Sequence, residues 1–300
     1  MRRVTDCYRG RFAPSPTGPL HFGSLVAAVA SYAEARSRGG AWLVRIEDLD
    51  PPRVVAGAAD DILHVLEAYG LQWDGTVVYQ SRRFDAYHAA LHRLRELGVI
   101  YPCACSRREI ADSALAGTEG PVYPGTCRGG LISDRCARAL RVNTHGVRIA
   151  FEDAALGRIE QDLERAGGDF VIYRCDRVFA YQLAVVIDDA EQGVTDVVRG
   201  ADLLDSTPRQ IYLQRLLSLP TPRYMHVPVA VDANGEKLSK QTSAVAVDTE
   251  NPSPALFTTL HFLGQAPPAE LATADIETLW QWALGHWHSE RVPRTRWIPA

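Results

Sequence analysis

The sequence predicts an α/β fold with a parallel sheet, an α+β insertion and a small C-terminal helical appendage. Three observations carry this. Short apolar runs alternate with helical stretches through the first hundred residues. From Tyr101 to about Gly130 periodicity is lost and Cys, Pro and Gly cluster. After Pro252 the chain turns rich in Pro, Leu, Trp and His. The expected division is residues 1–100 and 179–241 for the two halves of the main domain, 101–178 for the insertion and 242–300 for the appendage.

The elements follow in order. In "RFAPSPTGPLHFGS", Arg11 to Ser24, Pro14 and Pro16 forbid a regular strand or helix, while Gly18 and Gly23 permit tight turns and close backbone approach. Leu25, Val26, Val29, Tyr32 and Ala33 then fall at helical spacing, with Gly39 as the stop. Trp42 to Ile46 is a short apolar run ending in acids, which suits a buried parallel strand with its carboxyl end at a site. Ile62, Leu63, Leu66 and Tyr69 mark a helix closed by Gly70. "VVYQS" reads as a strand, and "RFDAYHAALHRLRELG" as an amphipathic helix closed by Gly98. Within the insertion, "GVRIAFEDAALGRIEQDL" reads as antiparallel strands. "FAYQLAVVIDDAEQGVTDVVRGADLL" has buried-strand character. "STPRQIYLQRLLSL" reads as a helix capped by Ser206 or Thr207, with Pro208 in its first turn.

Composition narrows the function. With 300 residues, 46% of them hydrophobic, the chain can bury a sizeable core. A net charge of −4 gives no global case for nucleic-acid binding, so any such role needs a local basic patch. No apolar run reaches membrane-spanning length, and Arg2 and Arg3 are not followed by an apolar signal core. The expected location is cytoplasmic, with no membrane partner. The six cysteines are then reduced, metal-bound or buried rather than disulfide-paired.

Two loops point to phosphate chemistry. Arg11–Ser24 delivers backbone N–H groups and His21 to a helix start, a natural phosphate site, although a rigid connector is the competing reading. "DANGEKLSKQ", Asp232 to Gln241, opens on an Asn234-Gly235 turn and carries Lys237 and Lys240 three residues apart. Two mobile ammonium groups suit a leaving phosphate, though lysine-rich surface turns are common. Cys103, Cys105 and Cys127 suggest a structural metal with three thiolates and a fourth position open. Cys7, Cys136 and Cys175 fall outside this spacing and are expected to be buried or partly buried thiols.

Taken together, these segments resemble class I aminoacyl-tRNA synthetases, and specifically their glutamyl branch. Arg11-Phe12-Ala13-Pro14-Ser15-Pro16-Thr17-Gly18 is similar to that branch's opening segment. His21-Phe22-Gly23-Ser24 resembles the HIGH motif, with Ser24 where many class I enzymes carry a second histidine. Lys237-Leu238-Ser239-Lys240-Gln241 resembles KMSKS, with Gln241 replacing the last serine. "RIEDLDPPR" and "VVRGADLLDSTPRQ" are similar to the same branch, so the resemblance runs from about Arg11 to Gln241.

The resemblance implies a Rossmann-like catalytic domain that makes glutamyl adenylate from glutamate and ATP with Mg²⁺. It places Pro14, Thr17, Gly18, His21, Gly23, Ser24, Lys237, Ser239 and Lys240 at ATP, with His21, Lys237 and Lys240 catalytic. It places Arg11, Phe12, Ala13, Pro14, Ser15, Glu47, Tyr181 and Arg199 at glutamate: the arginines on the carboxylates, Glu47 on the ammonium. Which arginine takes which carboxylate stays open. "YPGTC" resembles a short paralogue of the branch in which Tyr123 completes a structural zinc site with Cys103, Cys105 and Cys127.

About sixty residues follow Gln241, so a large anticodon-binding region is not expected. The resemblance to the short paralogue then implies transfer of glutamate to queuosine at the wobble position of tRNA(Asp), by a monomer. Candidate RNA contacts are Arg82, Arg83, Arg107, Arg108, Arg291, Arg294 and Arg296. A truncated synthetase charging an acceptor end, a non-catalytic tRNA- or nucleotide-binding paralogue, and a small nucleotidyltransferase remain as alternatives at this point.

Overall fold

The computed structural model describes residues 7–113, 116–117, 120–131, 135–232, 235 and 245–299. The chain begins with strand β1 (Arg9–Phe12), helix α1 (Phe22–Ser37), β2 (Ala41–Ile46), α2 (Ala58–Ala68), β3 (Val78–Tyr79) and α3 (Phe84–Glu96). β1, β2 and β3 lie side by side and parallel, with Arg9 opposite Ala41 and Arg45 opposite Val78. Parallel neighbours need crossovers, and the helices supply them. The two-residue period of the strands sorts their side chains. Phe12, Trp42, Val44 and Ile46 join the core that holds Leu25, Val26 and Val29 of α1. Arg11 and Arg45, at the alternate positions, are buried as well.

The middle of the chain supplies β4 (Ile100–Cys103), α4 (Arg107–Ser113), β5 (Ala116–Gly117), β6 (Gly120–Pro121), β7 (Ala139–Val142), β8 (Arg148–Asp153), β9 (Gly157–Asp162), α5 (Leu163–Ala166) and β10 (Val171–Arg174). β10, β7 and β4 form an antiparallel sheet. β8 and β9 form the antiparallel hairpin that the sequence predicts.

The chain then returns through α6 (Tyr181–Glu191), β11 (Asp196–Gly200), α7 (Thr207–Leu217), β12 (Arg223–Val227) and β13 (Val229–Val231). β11 and β12 are parallel, and β8 joins β12 through the pairing of Tyr224 with Asp153. β11 starts beside β1: the Arg9 amide donates to Thr195 Oγ1 at 2.8 Å, and the Thr195 amide donates to the Arg9 carbonyl at 2.9 Å. The first half of the chain thus builds outward from β1 in one direction and the second half in the other. Between β1 and β11 lies a topological switch point, where α/β sheets bind ligands beyond the strand carboxyl ends.

The C-terminal part contains α8 (Ser253–Phe262), α9 (Ile276–His286) and β14 (Trp297–Pro299), which pairs in parallel with β13. Leu256, Leu260, Leu279 and Trp280 of these helices share one core with α1, β1 and β2. Glu34 of α1 accepts the Trp287 indole N–H at 2.6 Å. No helix among the described residues is long and apolar enough to cross a membrane.

Three expectations need correction. The segment Tyr181–Glu191 is a helix, α6, not a buried strand. Leu183 to Ile187 are all buried, so no polar stripe marks the helical period. "VVYQS" yields only the two-residue β3 before a 3₁₀ turn at Gln80–Arg82. Gln80 turns inward there to donate to Asp188 Oδ2 at 2.8 Å. Cys7, Cys136 and Cys175 are exposed rather than buried, because they fall before β1, ahead of β7 and in the turn after β10.

The shared core makes a stability prediction. Leu260→Ala removes a fully buried side chain and should cost about 2–5 kcal/mol. Urea unfolding followed by tryptophan fluorescence should show one transition at lower urea, not the early loss of a separate C-terminal unit.

Candidate active site

The carboxyl ends of β1, β2 and β11 open into a cleft of about 930 Å³. Its lining includes Arg11, Phe12, Ala13, Pro14, Ser15, Thr17, His21, Gly23, Ser24, Glu47, Tyr181 and Arg199. These are the residues that the sequence assigned to glutamate and to ATP, apart from Gly18, which sits in the adjoining bend, and the lysine loop. Lys237, Ser239 and Lys240 lie outside the described residues. The chain on either side of them returns to the cleft: Val229 lines it, and Ala246 bridges to His21.

His21 is the residue before α1, and its carbonyl accepts the amides of Ser24 and Leu25 at 2.9 and 3.0 Å. Its Nε2 lies 3.3 Å from Ser24 Oγ. The first turn of α1 contains no acidic residue, and it faces the cleft through Gly23 and Ser24. The positive end of a sixteen-residue helix is thereby aimed at an anion position.

Beneath the cleft lies a buried ionic cluster. Arg11 Nε lies 3.2 Å from Asp189 Oδ1, and Arg45 Nη1 lies 2.8 Å from the same oxygen. Arg45 is fully buried, donates to Gln192 Oε1 at 2.7 Å and reaches Glu47 Oε1 at 3.3 Å. Asp188 accepts from Gln80, from Tyr87 at 2.8 Å and from Arg83 Nε at 2.5 Å. Burial opposes ionisation of Asp189, but Arg11 and Arg45 outweigh it and hold the carboxyl below the usual range. Burial dominates at Glu47 and pushes its carboxyl up, despite Arg45 and Arg11. A cationic group bound beside Glu47 would keep it ionised.

Arg199 differs from Arg11 and Arg45. It is buried, yet among the described residues its bonds all go to neutral acceptors. Nε donates to His226 Nε2 at 3.1 Å. Nη2 donates to Thr207 Oγ1 at 2.8 Å and Gln210 Oε1 at 2.9 Å, with the Leu203 carbonyl at 3.4 Å. Nη1 donates to Tyr181 Oη at 3.2 Å. One Nη1 hydrogen and the Tyr181 hydroxyl hydrogen remain for a ligand. A buried cation without a carboxylate partner favours a bound anion.

A second cluster lies between the end of β4 and the start of β7. The sulfurs of Cys103, Cys105 and Cys127 are within 4.8 Å of one another, and Tyr123 Oη lies 3.3 Å from Cys103 Sγ and 3.8 Å from Cys105 Sγ. Tetrahedral zinc with thiolates at about 2.3 Å places sulfurs about 3.8 Å apart, and Cys105 and Cys127 are 3.7 Å apart. The donor set therefore fits zinc. Gly168 sets the position of Tyr123: with φ +68, a Cβ there would lie 2.4 Å from the Tyr123 carbonyl oxygen.

Sequence reasoning missed Arg45, Asp188, Asp189, Asp153, Thr207, Gln210 and His226. An arginine inside the apolar run "AWLVRI" and two aspartates ending "LAVVIDD" were the available signals, since charges in buried elements need partners. None of Arg82, Arg83, Arg107, Arg108, Arg291, Arg294 and Arg296 is among the cleft-lining residues; Arg53 and Arg174 are. Arg83 is committed to Asp188 and Glu191, and Arg296 to Asp205.

Asp189→Asn should cost about 3–5 kcal/mol, because it leaves two buried guanidiniums short of a carboxylate. Asp189 contributes stability above its unfolded value of about 4, and that contribution is lost as pH falls toward the depressed folded value. Urea titrations below pH 4 should therefore show a shallower pH dependence in the Asn variant.

Comparison with known proteins agrees with this geometry. Residues 8–277 match the tRNA synthetases class I (E and Q), catalytic domain. The chain is 59% identical over 287 residues to a glutamyl-Q tRNA(Asp) synthetase of Aromatoleum aromaticum, covering 96% of this chain and 91% of that one. It is 58% identical over 289 residues to the protein of that name in Dechloromonas aromatica, covering 96% of each. In Pseudomonas aeruginosa the identity is 51% over 296 residues, covering 99% of each. A solved glutamate tRNA ligase of Elizabethkingia meningosepticum, in complex with its amino acid, superposes with a TM-score of 0.78 at 21% identity, covering 96% of this chain and 66% of that one. The glutamate-tRNA synthetase of Elizabethkingia anophelis superposes with a TM-score of 0.81 at 21% identity, covering 98% and 68%. That likeness is one of fold, and the chain spans about two thirds of the length of those two enzymes. The chain belongs to the class I tRNA synthetases (E and Q) and, within them, to the glutamyl-Q tRNA(Asp) synthetases.

Proposed function

We propose that this enzyme activates glutamate with ATP in the absence of tRNA and transfers the glutamyl group to queuosine at the wobble position of tRNA(Asp). The observation that carries the activation step is Arg199, a buried guanidinium with only neutral partners, in the same cleft as Glu47. Glutamate presents two carboxylates and one ammonium to such a site. The side-chain carboxylate keeps its charge throughout the reaction and suits Arg199 and Tyr181. The α-carboxylate loses its charge on forming the adenylate and suits Arg11, already paired with Asp189. Glu47 holds the ammonium. Phe12, Ala13, Pro14 and Ser15 line the amino-acid side of the cleft.

Activation forms a bond from an α-carboxylate oxygen to the α-phosphorus of ATP and releases pyrophosphate. Charge neutralisation and alignment are the main needs. His21 and the first turn of α1, with Pro14, Thr17, Gly18, Gly23 and Ser24, serve ATP and its Mg²⁺. Lys237, Ser239 and Lys240 serve the departing pyrophosphate. In transfer, a hydroxyl oxygen of the queuosine cyclopentene-diol attacks the glutamyl carbonyl and AMP leaves. The names of relatives at 51–59% identity support this acceptor. Positive charge for an anionic stem-loop is proposed from arginines outside the cleft lining, Arg82, Arg107, Arg108, Arg291 and Arg294, since Arg53 and Arg174 at the cleft are paired with Asp50 and with Asp50 and Asp176. The enzyme is taken as a cytoplasmic monomer. One zinc held by Cys103, Cys105, Cys127 and Tyr123 orders the insertion.

Glutamate-dependent ATP–pyrophosphate exchange without tRNA should be present, with glutamine activated at least about 100-fold less well, because an amide forfeits the charge-assisted bond to Arg199. Lys240→Ala should lower exchange about 100-fold or more with unchanged unfolding. Labelled glutamate should appear on tRNA(Asp) bearing queuosine and be absent from tRNA(Asp) lacking it; charging of tRNA(Glu) at its acceptor end would refute the acceptor. Purified protein should contain one zinc per chain, lost in a Cys103→Ser/Cys127→Ser double variant.

A further inference from the structure

We infer that His226 and Asp153, neither of which lines the cleft, are positioning residues for amino-acid recognition: Asp153 fixes the tautomer of His226, and His226 holds Arg199 in the orientation that receives a carboxylate. This rests on the glutamate-activating reading of the cleft. Arg199 sits on β11 and His226 is its neighbour in register on β12. Asp153 ends β8, the hairpin strand that joins β12 beside Tyr224. All three are buried, His226 completely.

The hydrogens can be placed by elimination. Arg199 Nε can only donate, so His226 Nε2, at 3.1 Å, must accept. The imidazole proton then sits on Nδ1 and is donated to Asp153 Oδ2 at 2.6 Å. A second proton on the ring would face Nε2–H against the Arg199 N–H. Burial disfavours that state, and Arg199 adds to the effect against the pull of Asp153, so the imidazolium titrates at about 4. Thr207 Oγ1, 3.2 Å from Nε2, also accepts from Arg199 Nη2 and keeps its own hydrogen for Nε2 or the Leu203 carbonyl.

The other oxygen of Asp153 is fully engaged. Oδ1 accepts from the backbone amides of Ala155, Leu156 and His226 at 3.1, 3.0 and 3.2 Å. This makes Asp153→Asn an informative substitution. The amide oxygen must stay on the three N–H groups, because an amide nitrogen there would meet three donors. The amide nitrogen then faces His226 Nδ1 and donates to it. The imidazole proton moves to Nε2, where it meets the Arg199 N–H. A change of one atom, at a residue outside the cleft lining, thereby reverses the bond that aims the guanidinium.

Steady-state exchange kinetics and NMR test this together. Asp153→Asn should raise the KM for glutamate about 10- to 100-fold, the value of one hydrogen bond to a charged group, while the KM for ATP stays near wild type. His226→Gln, whose amide oxygen can occupy the Nε2 position and which has no tautomers, should keep a KM for glutamate near wild type. In that background Asp153→Asn should add little. An unchanged KM in Asp153→Asn, or the same loss in both backgrounds, would overturn the proposal. Imidazole ¹⁵N shifts need no substrate: Nδ1–H in the wild type and Nε2–H in Asp153→Asn support it, and Nε2–H in the wild type overturns it. Absence of glutamate-dependent exchange in the wild type would count against the functional reading instead, and the shifts would still decide the tautomer.

Discussion

Two guanidiniums lie inside this protein on neighbouring strands, and Asp189 of α6 sits against both. The rest of the site depends on that arrangement. Removing charges from water is costly, and a buried pair repays the cost only with good geometry and further hydrogen bonds. Here Arg45 adds Gln192 and Glu47, and neighbouring Asp188 adds Gln80, Tyr87 and Arg83. The network locks α6 against β1 and β2. It also fixes Glu47 at the end of β2, so the carboxylate facing the cleft is oriented before any ligand arrives.

The sheet topology puts a different electrostatic environment on the other side of the switch point. β11 carries Arg199 among a histidine, a threonine, a glutamine, a tyrosine and a carbonyl, with no carboxylate in the set. On one wall of the cleft the arginines are thus balanced by carboxylates, while on the other the Arg199 guanidinium has only neutral hydrogen-bond partners among the described residues, with Asp202 lining the cleft nearby. The first turn of α1 adds a second electropositive feature without acidic residues to quench it. A ligand with several anionic groups and one cation matches this division, and the proposed substrates supply it.

The hairpin β8–β9 continues the sheet of β11 and β12. Strand β8 ends at Asp153, whose carboxylate closes the buried line from Asp153 through His226 to Arg199. From the end of β4 onward, ahead of β7, the sulfurs of Cys103, Cys105 and Cys127 converge with Tyr123 Oη. Asp169 holds this region to its surroundings by accepting from Arg128 and Thr144 as well as from Tyr101.

Local signals in the sequence determined much of this. Prolines and glycines ahead of an apolar helical run marked the loop entering α1, and the apolar run Trp42–Ile46 marked β2 with Glu47 at its end. Cys103, Cys105 and Cys127 were legible from their spacing, and Tyr123 only from the resemblance. Apart from Tyr123, these signals lie close together in the chain, so a linear reading finds them. The identity of α6 was not legible, because a helix buried along Leu183–Ile187 shows no period. Nor were the partners of Arg11 and Arg45, which lie 178 and 144 residues away at Asp189. Only the tertiary structure decided which arginine is paired with a carboxylate and which has neutral partners among the described residues. Charge compensation across a buried interface is set by which elements pack together, and no local pattern encodes that.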